Sequence, residues 1–94
     1  MATYAVIYAY GVPESELATV RVEHRDYLAG LPELLVAGPW DAGRGALILV
    51  SAESTSQVEA LVAADPFVRE GFVAQHEVHE WTPVLGPRAE HLTA

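Results

Sequence analysis

A histidine occupies position 24, where an amphipathic helix would ordinarily carry a leucine. At about 100° per residue, Leu17, Val20, Tyr27, Leu28 and Leu31 all point within about 60° of it, so an apolar stripe is centred on an imidazole. An unperturbed histidine titrates near neutrality and can both take and give a proton. Such a base works best when a carboxylate orients its other ring nitrogen and stabilises the imidazolium. Asp65, followed by Pro66, is the candidate carboxylate. It stands at the C-terminal end of a helix, where a cation is favoured over an anion, so its charge there asks for compensation. Each residue also has a plainer reading. His24 can be a core histidine bonded to a backbone carbonyl, and Asp65-Pro66 can be an ordinary helix-ending turn.

Arg21, one turn before His24, can face the same cavity and bind a carboxylate or phenolate oxygen; its plainer reading is an ion pair with Glu16 or Glu23. Tyr8 and Tyr27 can offer hydroxyl protons to a substrate, or serve as core aromatics with one wet end. His76-Glu77-Val78-His79-Glu80 looks like a fragment of a metal motif, but its histidines are three apart on a strand and fall on opposite faces. No metal site and no cofactor site is expected. The chain has no cysteine, which removes thiolate catalysis and disulfides. It also shows no glycine-rich phosphate loop, no nucleophile elbow and no dinucleotide fingerprint.

The elements that must position these groups can be read along the chain. Ala2 to Tyr10 is a strand, with Tyr4, Val6, Tyr8 and Tyr10 on one side and Ala5, Ile7 and Ala9 on the other. A helix runs from about Ser15, as its N-cap, to Ala29, with Gly30 past its end. Leu34 to Gly38 and Ala46 to Ser51 are two further strands joined by a turn. Ser54 and Gln57 form a capping box for a helix over about Thr55 to Ala64, which Asp65-Pro66 ends. Phe67 to Glu70 reads as one more helical turn and Phe72 to Trp81 as a last strand. Residues from Pro83 on carry no periodic pattern and read as an arm. The domain is taken as residues 1–86, with 87–94 a C-terminal tail.

The order βαββαβ predicts an α+β, ferredoxin-like fold, a four-stranded antiparallel sheet with two helices on one face. The first three strands are apolar on both faces, and two helices cover only one. The uncovered face predicts a homodimer that packs sheet on sheet, a dimeric α/β-barrel-type assembly. Thirteen acidic residues against five arginines and no lysine give a formal charge of −8, which disfavours nucleic acid and anionic membrane surfaces as partners. No secretion signal or membrane-spanning segment is recognised, so a soluble cytoplasmic protein is expected.

Four segments carry a resemblance: Arg21-x-x-His24-x-x-Tyr27-Leu28, Leu35-x-Ala37-Gly38-Pro39, Ala64-Asp65-Pro66-Phe67 and Trp81-x-Pro83-Val84-Leu85-Gly86. In this order, over nearly the whole chain, they resemble the YCII-related (YciI-like) proteins. The resemblance implies a ferredoxin-like fold, dimerisation, and an active site built from His24 and Asp65. The family's one well-described activity type is dehydrochlorination of a chlorinated hydroxyhydroquinone. Longer members open the third strand with Gly-Ser-Thr, whereas this chain has Gly45-Ala46-Leu47, so a role for that serine is absent.

Two functions of different class follow. The first is a cofactor-independent lyase or isomerase acting on a small phenolic or enolisable metabolite, with His24 moving the proton, Asp65 holding its tautomer and Arg21 steadying an oxyanion. The alternative is a non-catalytic, small-ligand-binding or accessory dimeric module using the same pocket. Kinship with dimeric α/β-barrel monooxygenases and muconolactone isomerases is an analogy of fold only.

Overall fold

Strand β1 (Ala2–Tyr10) is the second strand from one edge of a four-stranded sheet in the computed structural model, which describes residues 1–93. Ala94, the last residue of the expected tail, lies outside the described residues. The other strands are β2 (Leu34–Trp40), β3 (Gly45–Ala52) and β4 (Val73–Glu80), in the spatial order β2-β3-β1-β4 with every neighbouring pair antiparallel. This is the α+β ferredoxin-like topology expected from the element order.

The two faces of the sheet differ because strand side chains alternate. Tyr4, Val6 and Tyr8 of β1 and Ala46, Ile48 and Val50 of β3 are buried in one core cluster with Val58 and Val62 from the helix layer. Full burial of each branched side chain contributes about 1.5–3 kcal/mol. Opposite them lie Ala5, Ile7 and Ala9, in register with Leu49, Leu47 and Gly45 on one side and His79, Glu77 and Gln75 on the other. This second face is therefore apolar towards β2 and charged along β4, with Leu47 42% and Val36 49% exposed.

The first helix departs from expectation. In place of one helix from Ser15, there are α1 (Glu14–Leu17), preceded by Pro13, and α2 (Arg21–Ala29). Between them the bonds tighten to three-residue spacing, from Thr19 N to Glu16 O and from Val20 N to Leu17 O. Thr19 also turns its hydroxyl onto the Glu16 carbonyl at 2.6 Å, a local competitor for helical backbone bonding. Gly30 follows α2 as anticipated but keeps right-handed geometry, φ −84°.

The second helical segment follows the sequence closely. Ser54 caps α3 (Thr55–Ala63) by accepting from Gln57 N, while Gln57 Oε1 accepts from Glu53 N at 2.8 Å. A separate turn, α4 (Pro66–Arg69), follows. Strand β2 runs two residues further than expected, through Pro39 and Trp40; a proline fits there because β2 is an edge strand. The β2–β3 turn holds Asp41, Ala42 and Gly43 at φ 45°, 55° and 98°. Gly45 then lets the Trp40 ring and the Tyr8 carbonyl approach where a Cβ would collide with both. Beyond β4, a 3₁₀ turn (Ala89–Leu92) returns to the start of β1, where Leu92 O accepts from Thr3 Oγ1 at 2.5 Å. No helix among the described residues is long and apolar enough to cross a membrane.

Candidate active site

Asp65 takes its position from the proline that follows it. The residue before a proline avoids helical geometry, and Asp65 is extended at φ −67°, ψ 128°, which ends α3. Pro66 then occupies the first position of α4, where its missing N–H costs nothing. The carboxylate thereby becomes the N-cap of the new turn, accepting from Phe67 N at 3.0 Å through Oδ1. The anion expected to sit uncomfortably at the end of one helix instead begins the next, and that supplies the compensation its charge required.

Two more donors reach the same carboxylate from distant parts of the chain. Tyr8 donates its hydroxyl to Oδ2 at 2.8 Å, and His24 Nδ1 lies 2.7 Å from Oδ1. Asp65 is 0% exposed, so these three bonds replace all of its hydration. A carboxylate that collects three donors holds the imidazole with its proton on Nδ1. Nε2, across the ring, is then the basic nitrogen, and His24 is among the residues that line a cleft. The ring is fixed from below as well, stacked on Phe67 with centroids 3.9 Å apart and planes 5° from parallel.

Beside His24 opens a cleft of about 520 Å³, within the size range of small-molecule sites. Its floor and apolar wall include Leu17, Leu28, Ala46, Ile48 and Phe67, and its rim includes Pro39, Ala42 and Gly43 from the β2–β3 turn. Its polar side chains are Tyr10, Glu14, Arg21, His24 and Arg25. The helix break between α1 and α2 gives Arg21 a partner other than those considered from sequence, Glu14 at 2.5 Å. Glu23 pairs instead with Arg69 at 2.8 Å.

The residues singled out in the sequence thus separate into two groups. His24, Asp65 and Tyr8 form one bonded chain, and His24 and Arg21 share the cleft. The Tyr8 hydroxyl is committed to Asp65, away from the cleft lining. Burial, then the Asp65 charge and the bond to it, push that phenol far above its usual range. Tyr27 is also turned elsewhere, donating to Leu61 O at 2.6 Å. Burial first, then the charges of Asp65 and Glu33, raise its pKa. His76 and His79 fall on opposite sides of β4 and contact Glu59 and Glu77.

Sequence reasoning missed Tyr10 and Arg25. Tyr10 packs edge-on against Phe67, at 5.5 Å and 88°, and lines the cleft. Burial and the Asp65 charge, opposed by Arg21, push its phenol up to about 12, so near neutral pH it is a hydrogen-bond donor. The available signal was its place two residues beyond Tyr8 on the same strand face, at the end nearest α1. Arg25 was signalled by its spacing of four from Arg21.

Residues 3–82 match the YCII-related domain. Among solved structures, the chain is similar to 5-chloro-2-hydroxyhydroquinone dehydrochlorinase (TftG) from Burkholderia phenoliruptrix AC1100, in complex with 2,5-dihydroxybenzoquinone. That likeness has a TM-score of 0.70 at 28% identity and covers 83% of this chain and 92% of the other. No functionally curated protein matches the chain in sequence.

Proposed function

The chain belongs to the YCII-related domain family, and from that premise we propose that it is an acid–base lyase or isomerase of a small phenolic or enolisable molecule. The observation that carries this reading is the 2.7 Å bond from the His24 ring to Asp65, made between two buried side chains at the wall of an open cleft. A histidine that only filled the core would have no reason to be backed by a buried carboxylate and faced by a cavity.

In this reading His24 Nε2 removes a proton from a ring hydroxyl or from carbon next to a carbonyl. The electron pair of that bond moves into the conjugated system and the proton returns at another atom of it; where that atom carries a halogen, a second hydroxyl then gives its proton to the imidazole and the halide leaves with its own bonding pair. Asp65 holds the tautomer and offsets the imidazolium charge, while Tyr8 holds Asp65. Tyr10 and Arg21, on the cleft wall, steady oxygen as it gains negative charge. The dehydrochlorinase with which this chain shares 28% identity supports the halide-leaving version as the first to try. The apolar half of the open sheet face, around Ile7 and Leu47, is read as the contact of a two-fold homodimer, and the cytoplasm as the site of action.

The test uses chlorinated hydroxyhydroquinones and enolisable lactones, with chloride release and product mass as readouts. Wild-type protein is expected to give product, and His24→Ala to lose about 10²–10⁴-fold in rate while keeping its circular dichroism spectrum. A His24→Ala protein with full activity overturns the assignment. Binding without any product from wild-type protein favours the ligand-binding module instead.

A further inference from the structure

The cations of this cleft are placed against the interest of the helix that carries them. Arg21 is the first residue of α2, where the positive end of the helix dipole disfavours a cation. Arg25 follows at a spacing of four, so the two guanidiniums rise from one helix face a turn apart, an arrangement that costs a few tenths of a kcal/mol in repulsion. Both line the cleft, one on each side of His24 along the chain. Glu14 answers Arg21 at 2.5 Å. Arg25 makes no ion pair among the described residues, whereas Arg69, on the outer surface, holds two carboxylates, those of Glu23 and Glu70.

This matters because of the charge of the rest of the molecule. Thirteen acidic side chains and five arginines give −8 overall, yet the cleft wall carries two arginines and a histidine against Glu14 alone. A site for a neutral molecule has no need to gather two of five cations in a protein so poor in them. An apolar floor with one unanswered guanidinium at its side suits a ligand with a flat apolar body and a carboxylate, because arginine meets a carboxylate through two parallel hydrogen bonds.

We propose that the cleft selects carboxylate-bearing aromatic or enolic molecules, and that Arg25 is the residue that docks the carboxylate. This rests on the reading of the cleft as the substrate site, but it concerns binding and does not depend on any reaction. The docked carboxylate holds the ring against the apolar wall of Leu17, Leu28 and Ile48, with its opposite end towards His24 and Tyr10. Arg21, tied to Glu14, is left to the oxygen that gains charge.

The experiment compares 3-hydroxybenzoate with its neutral counterpart 3-hydroxybenzamide, by titration of amide chemical shifts in ¹⁵N-labelled full-length protein. The acid is expected to bind about tenfold more tightly than the amide, with the largest shifts at residues lining the cleft. Arg25→Gln is expected to lower affinity for the acid about tenfold and leave the amide unchanged. Arg69→Gln, which removes the same unit of charge outside the cleft, keeps the preference. Equal binding of the two probes overturns the proposal, as does an unchanged preference in Arg25→Gln, a preference equally lost in Arg69→Gln, or no saturable shift with either probe. His24→Ala separates this inference from the catalytic reading: loss of turnover with the acid still bound leaves both standing. Preserved turnover with Arg25-dependent binding refutes only the role of His24.

Discussion

Replacing Asp65 by asparagine tests the relay where it is most constrained. The carboxylate accepts from Phe67 N, His24 Nδ1 and Tyr8 Oη, and it is 0% exposed. Asparagine keeps the shape but offers one acceptor oxygen and one amide donor. With the oxygen on the His24 and Phe67 side, the amide faces Tyr8, whose own proton loses its acceptor. With the amide turned round, Phe67 N–H loses its acceptor and the imidazole must carry its proton on Nε2, the nitrogen required as base. Either way one buried donor is left unpaired, a cost of about 1–3 kcal/mol in stability. Either way the imidazolium also loses its counter-charge. For charge centres about 4 Å apart at an effective dielectric of about 20, that interaction is about 4 kcal/mol, or about 10³-fold in rate. Long-range ¹H–¹⁵N spectra of the imidazole read the tautomer with no substrate present. Neutral His24 in the wild-type protein is expected to carry its proton on Nδ1, and Asp65→Asn to mix or invert that. A wild-type ring protonated on Nε2, or an asparagine variant with unimpaired turnover, would refute the reasoning.

Tyr8 and Tyr10 bind their phenolic protons more tightly folded than unfolded. Their contribution to stability is therefore complete below pH about 10 and is lost as pH rises, by about 1.4 kcal/mol per pH unit for each tyrosine. Urea unfolding between pH 9 and 11 is expected to show that decline. Tyr8→Phe is expected to make it shallower and, by stranding Asp65 Oδ2, to lower stability near neutral pH by about 1–3 kcal/mol; an unchanged slope speaks against it. On the open sheet face, Leu47→Asp is expected to turn a dimer into a monomer in sedimentation velocity, and a wild-type monomer at micromolar concentration contradicts the dimer reading.

The fold was legible because its signals are local and mutually consistent. Alternation in Tyr4–Tyr8, the Ser54–Gln57 box and the Asp65-Pro66 break each place one boundary, and their order leaves few topologies. His24 was legible for a related reason: a polar ring inside an apolar stripe is a one-residue anomaly. The partner of Arg21 was not, because the choice of Glu14 depends on the tightened turn at Thr19 and Val20, which periodicity cannot see. The roles of the tyrosines were hidden by equivalence. Tyr8 and Tyr10 share a strand face, and which of them meets Asp65 and which meets the cleft is decided by how far along β1 the helices lie. Alternation carries no such information. Just there the register with β4 slips, Ala9 pairing Gln75 and Tyr10 pairing Val73.

His24 and Asp65 are 41 residues apart, and Tyr8 and Asp65 are 57 apart. One end of the relay belongs to the first strand–helix–strand half of the chain and the other to the second. Neither half has the relay by itself: the imidazole without its carboxylate in one, the carboxylate without its imidazole in the other. A nascent or partly folded chain therefore has the residues of the site but not its relay, and that relay appears only when the halves dock. The docking of the halves that completes the sheet also brings His24 to Asp65, so under the proposed function loss of structure and loss of chemistry are expected to be a single event.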